Sequence, residues 1–180
     1  MKTLLVAFAI GLTELAAFGQ GQVVFANKVG TDVDAPVLGS SLQGLGPNYS
    51  VQLVLMGSDG ALTPLIPIST FRPPGLGAAA IADRYWYPQT VDVPVQPGSL
   101  ATFVVRAWQT AAGSYEAAQA TGSAGQSAPF VVAVGGGVLP PSNLTTLQSF
   151  TLVLPEPSVL ALGILGAALG FLVFRRKPFR

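Results

Sequence analysis

Between its two ends this chain is interrupted by glycine or proline every few residues, and that punctuation limits its fold more than any other feature. Glycine loses more backbone freedom than other residues on entering a helix, and proline removes an N–H donor, so both weaken helix interiors and favour turns. With 21 glycines and 15 prolines among 180 residues, the middle of the chain divides into short segments joined by turns, which leaves little room for long helices.

The segments between the turns carry the two-residue alternation of strands. Tyr49, Val51, Leu53 and Leu55 alternate with Ser50, Gln52, Val54 and Met56, and Gly57-Ser58-Asp59-Gly60 then supplies a hairpin turn before Ala61 to Ile66. Val91, Val93 and Val95 alternate with Thr90, Asp92 and Pro94, and Gln96-Pro97-Gly98 reads as a hairpin turn into Ala101 to Gln109. Val23 to Asn27, Pro129 to Val134 and Leu147 to Leu154 complete the set. The expectation is an all-β domain, an antiparallel β-sandwich of about six to eight strands, with the Pro94 strand at an edge. Arg72 to Ala80 and Ala111 to Ala128 read as loops, the second with one helical turn at Ser114-Tyr115-Glu116-Ala117-Ala118.

Charge and composition exclude several functions. Charged residues are 9% of the chain, against about 25% in typical soluble domains. Residues 21–154 hold four bases (Lys28, Arg72, Arg84, Arg106) and six acids (Asp32, Asp34, Asp59, Asp83, Asp92, Glu116). A weakly acidic domain without a basic patch is a poor partner for nucleic acid. With no cysteine and no histidine, disulfides, thiolate metal sites and histidine general bases are ruled out. No cofactor is expected.

The ends have a different character. Residues 1–19 combine Lys2, an apolar run from Leu4 to Leu12, and small residues at Ala17 and Gly19 placed for cleavage, the pattern of a secretory signal peptide. Glu14, just past the run, departs from that pattern, and an uncleaved anchor is the alternative. Residues 158–174 are 17 positions without a charge, roughly 25 Å as a helix, a short transmembrane span. Gly163, Gly166, Ala167 and Gly170 share one face of that helix, smooth enough for another helix to approach. The basic tail at 175–180 stays cytoplasmic by the positive-inside rule, which puts residues 20–157 across the membrane.

Pro155-Glu156-Pro157, followed at once by the span and by Arg175, Arg176 and Lys177, resembles the PEP-CTERM sorting signal of Gram-negative bacteria. The resemblance implies recognition of residues 155–180 by an exosortase, a membrane-embedded cysteine-dependent enzyme, and export together with exopolysaccharide. The sortase signal LPxTG fits less well, because Pro157 stands where its Thr belongs and Ser158 where its Gly belongs. A GPI signal carries no terminal basic cluster. The segments Gln22 to Asn27, Arg106-Ala107-Trp108, Ser114 to Ala118 and Leu147 to Phe150 are similar to those of PEP-CTERM proteins from environmental, Verrucomicrobia-like bacteria, a likeness of strands and turns that implies no activity. The expected organisation is thus a signal peptide (1–19), a secreted β-sandwich (20–154) and a sorting signal (155–180).

Few residues of the middle suggest chemistry. Asp32-x-Asp34 has the close oxygen spacing that opens a calcium loop, but no EF-hand pattern follows, and solvated loop acids are the plainer reading. Asn48-Tyr49-Ser50 and Asn143-Leu144-Thr145 match the glycosylation pattern. A Ser–Lys dyad has only Lys28 to draw on, and no catalytic carboxylate pair is evident. Tyr85, Trp86, Tyr87 and Trp108 are candidates for a platform on which sugar rings stack, with burial in the core as the competing reading. The functional expectation is an exported, non-catalytic surface or matrix protein associated with exopolysaccharide. A carbohydrate-binding module is the alternative.

Overall fold

The two strongest alternating segments become the centre of the domain. A computed structural model describes residues 20–152. The signal segment with Ala17 and Gly19, and the sorting signal with Pro155, Glu156, Pro157, Arg175, Arg176 and Lys177, lie outside the described residues. In chain order the strands are β1 (Gly21–Phe25), β2 (Lys28–Val29), β3 (Val33–Asp34), β4 (Val37–Leu38), β5 (Tyr49–Met56), β6 (Leu62–Pro64), β7 (Ser69–Thr70), β8 (Gln89–Val93), β9 (Leu100–Gln109), β10 (Ala124–Gln126), β11 (Phe130–Ala133), β12 (Ser142–Asn143) and β13 (Phe150–Thr151). One α-helix, α1 (Tyr115–Ala120), and 3-10 segments at Gly77–Arg84 and Thr110–Ala112 complete the described part. No helix among the described residues is long and apolar enough to cross a membrane.

The domain is mostly β, with antiparallel pairing dominant. β5 and β9 pair over eight residues, Tyr49↔Gln109 to Met56↔Thr102, and turn Val51, Leu53, Phe103, Val105 and Ala107 into the core. β1 and β8 form a second sheet with β12, Val23 opposite Val91, and their Val23, Phe25, Val91 and Val93 enter the same core. Full burial of side chains of this size stabilises by about 1.5–3 kcal/mol each, which is how a chain without disulfides holds together.

Side chains mend the breaks at both margins of the larger sheet. On β9, Gln126 faces Arg106 while Phe130 faces Phe103, so the three residues Ser127 to Pro129 oppose only Val104 and Val105. Proline has no N–H to donate, and this bulge is closed by Ser127, whose Oγ accepts from the Val105 N–H at 2.9 Å. On β5, the gap between β6 and β7 is bridged by Gln52, whose Nε2 donates to the Leu65 carbonyl at 2.9 Å.

The expected 57–60 turn forms. Gly57 N–H donates to Ala61 O at 2.8 Å, Asp59 Oδ1 accepts from Ala61 N–H at 2.9 Å, and Gly60 takes a φ of 80° that favours glycine. Other expectations need correction. The Gln96-Pro97-Gly98 turn does not join a hairpin: β8 pairs with β1 and β9 with β5, because Gly98 N–H donates to Val134 O and carries the chain from one sheet to the other. Within Ala111 to Ala128 the expected helical turn forms as α1, but β10 is a strand where only loop was expected. Only Phe150–Thr151 of the expected Leu147 to Leu154 strand pairs among the described residues, and it runs parallel to β4, as β12 does to β1. The sheets are therefore not purely antiparallel, and the strands among the described residues number thirteen, six of them two residues long. β8, which Pro94 follows, does lie at an edge.

Candidate functional site

The Tyr85-Trp86-Tyr87 triplet lies beside residues 70–72 as a short antiparallel pair. Tyr87 N–H donates to Thr70 O at 3.1 Å and Arg72 N–H to Tyr85 O at 2.9 Å, with Phe71 bridged to Trp86. Extended backbone sends neighbouring side chains to opposite faces. Phe71 and Trp86 therefore turn inward and are fully or almost fully buried, while on the other face Thr70 and Tyr87 are exposed, next to the partly buried Arg72 and the buried Tyr85.

Trp86 is a core residue. Its ring centroid lies 4.9 Å from that of Phe25 and 5.8 Å from that of Phe71, and its Nε1 donates to Phe25 O at 3.0 Å. Beside it Asn27, fully buried, accepts from the Trp86 N–H through Oδ1 at 3.1 Å. The Asn27 amide donates to Ala35 O at 2.9 Å and Arg84 O at 3.0 Å. A single amide thus ties three segments together and fixes the register of the aromatic triplet.

The outward face has its own polar network. The Tyr85 hydroxyl donates to Asp34 Oδ1 at 2.8 Å, and Lys28 Nζ lies 2.7 Å from Asp34 Oδ2 and 6.0 Å from the Tyr85 ring centroid. The hydrogen bond from Lys28, then that from Tyr85, hold the Asp34 carboxyl below its ordinary range. Burial, with the hydrogen bond to Asp34, pushes the Tyr85 phenol up. Arg72 stands over the Tyr87 ring at 5.8 Å, and Tyr87 is 48% exposed. Among the described residues neither Arg72 nor Arg84 has a carboxylate within 4.0 Å, and the Nε of each is buried without a hydrogen-bond partner. Three of the four bases in residues 21–154 thus lie by the triplet, Lys28 and Arg84 beside Tyr85 and Arg72 beside Tyr87.

Trp108 is elsewhere. It sits on the face of β9 opposite the core, under α1, in a small cluster with Tyr115 and Ala118, its ring 6.4 Å from Tyr115 and edge-on. Ser114 caps α1 by accepting from Ala117 N–H at 3.2 Å, and the Arg106 guanidinium lies 4.4 Å over the Tyr115 ring and 3.3 Å from Glu116. Burial pushes the Tyr115 phenol up. The four aromatic residues therefore do not make one platform: Trp86 is in the main core, Trp108 in the second cluster, Tyr85 is buried, and only Tyr87 of the four is exposed. Composition hid this because aromatic residues serve cores as well as surfaces.

The remaining candidates offer less. Both oxygens of Asp34 are engaged by Lys28 and Tyr85, and among the described residues no three acidic side chains gather as a metal site. Lys28, the one lysine available for a Ser–Lys pair, is bonded to Asp34. An open cleft of about 330 Å³ between the Gly57 turn and Leu100 is lined by Leu55, Met56, Val95 and Thr102, without a titratable side chain. The sequence reading missed Arg72, Arg84 and Lys28 as neighbours of the triplet. Reading Tyr-Trp-Tyr with a period of two would have separated its inward ring from its outward ones. No protein-family model, no curated protein and no solved structure matches this chain.

Proposed function

We propose that this chain is an exported protein sorted by its C-terminus, held by its terminal helix until processed and then part of the cell surface or extracellular matrix. Its β domain, read as a sandwich of two sheets over one core, associates with exopolysaccharide and carries out no catalysis. The observation that carries this reading is the order at the C-terminus: Pro155-Glu156-Pro157, an uncharged span, then Arg175, Arg176 and Lys177. The signal-like residues 1–19, with Ala17 and Gly19 placed for cleavage, support the same topology. An exosortase-type enzyme and the membrane are the partners this implies, and the lack of histidine and cysteine leaves no ordinary nucleophile–base pair.

Topology decides it. An epitope after Arg180 should be protected inside the cell before processing, while one in the Gly57–Gly60 turn is reached from outside. Finding the turn epitope inside and the terminal one outside would overturn the reading.

A second reading, a carbohydrate-binding module, is favoured by the half-exposed Tyr87 with Arg72 against its ring. It no longer includes Trp86 or Trp108 as contact residues, since both are buried. Retention of the protein on immobilised glycan, reduced by Tyr87→Ala, supports this reading. Retention that the substitution leaves unchanged removes it.

A further inference from the structure

We infer that the outward face of the paired 70–72 and 85–87 segments is a binding site for carboxylate-bearing sugars, as in a uronate-containing glycan. This assignment rests on the polysaccharide-associated reading above and names the chemistry of the sugar.

Three features of the face converge on that ligand. Tyr87 offers an exposed aromatic surface, and pyranose rings lay their apolar C–H faces on such rings. Arg72, diagonal to it, carries a guanidinium with no carboxylate within 4.0 Å among the described residues, and its Nε is buried and unpartnered. A partly desolvated guanidinium lacking a counter-charge gains more from an arriving carboxylate than a hydrated one does, and its planar fork accommodates both carboxylate oxygens. Thr70, directly opposite Tyr87 and exposed, adds a hydroxyl for the sugar's own hydroxyls.

The local charge selects among glycans. Lys28 and Arg84 stand by Tyr85 and Arg72 by Tyr87, in a domain whose acids otherwise outnumber its bases, and Asp34 pairs with only one of the three. That field disfavours a cation, and two uncompensated bases are too few for the phosphate contacts that give nucleic-acid affinity. A neutral sugar would stack on Tyr87 but leave Arg72 unanswered.

The test titrates the full chain in detergent with polygalacturonate, using dextran as the neutral polymer and dextran sulfate as a polyanion without carboxylates. Polygalacturonate should be held about tenfold more tightly than dextran. Arg72→Gln should remove about tenfold of that affinity, and Tyr87→Ala about fivefold, with the melting temperature unchanged. Arg106→Gln, on β9 beside α1 and engaged with Tyr115, Glu116 and Gln126, should leave binding as it was. The basic C-terminal tail is common to all variants, so only their differences count. If Arg72→Gln disturbs folding, the exposed Tyr87→Ala decides alone. Equal affinity for polygalacturonate and dextran would overturn the assignment while leaving glycan association standing. Dextran sulfate bound as tightly, with the same response to the variants, would overturn it in favour of a general anion surface. Binding of polygalacturonate that neither variant changes would also overturn it. Failure to bind any of the three polymers would overturn both this inference and the polysaccharide reading beneath it.

Discussion

Trp86 and Trp108 are hidden almost equally, at 1% and 3% exposure, but by different means. Trp86 is enclosed by residues far away in sequence: Phe25 packs against it at a tilt, Phe71 meets it edge-on and Asn27 holds its backbone. Trp108 is covered by a helix of six residues that begins seven positions later. A helix that short does not stand alone. Its persistence depends on Trp108 beneath it, on Ser114 at its start and on Arg106 against Tyr115. Burial alone therefore does not rank the two sites: the first is integrated into the whole domain, and the second is a local cover that can open while the sheets stay intact.

Substitutions should expose that difference. Trp86→Ala is expected to have the largest effect, about 3–5 kcal/mol in denaturant unfolding, because a cavity opens where both sheets meet. A loss below about 1 kcal/mol would show that the enclosure contributes little. Asn27→Ala should follow at about 2–3 kcal/mol, since it leaves the Trp86 N–H and the Ala35 and Arg84 carbonyls without their partner. Trp108→Ala, or Ser114→Ala at about 1 kcal/mol, should speed hydrogen exchange at residues 115–120 and leave β1 and β8 protected. Equal acceleration in both regions would erase the distinction.

The smallest effect is electrostatic. The folded Asp34 carboxyl lies below its unfolded value of 3.8, so its stabilising contribution is fully present above that pH and is lost as pH falls through the folded value. Because Lys28 and Asp34 are both more than a third exposed, the contribution should stay within about 1 kcal/mol. Unfolding of Asp34→Asn followed across the acid range should show a shallower decline than the parent chain. An identical decline would mean that the pair adds nothing.

How much of this was legible in the sequence depended on whether a segment is half-buried. β5 and β9 have one face in the core, so Val51, Leu53, Phe103 and Val105 alternate with Ser50, Gln52, Thr102 and Arg106, although Val54 and Val104 on the other face are apolar and buried as well. β10 gave no such sign, since Ala124, Gly125 and Gln126 are small or polar. Its place is secured by Gly125, where a Cβ would lie 3.0 Å from Leu152, a close approach that becomes apparent only in three dimensions. The turn at Gln96-Pro97-Gly98 was visible, but not that it leads from one sheet to the other, because a turn signal does not name the partner of the next strand. At the candidate site the aromatic residues stood out, and their partners did not. Arg72 reaches Tyr87 only because residues 70–72 pair with 85–87 across a 3-10 segment that carries no alternation.

The most direct test of the central claim, export followed by C-terminal sorting, is the intact mass of the chain recovered from outside the producing cell. The expected species begins at Gln20 and lacks Arg175, Arg176, Lys177 and Arg180, its end lying at or near Pro155-Glu156-Pro157. A cytoplasmic species that runs unbroken from Met1 to Arg180, with none outside, would contradict it.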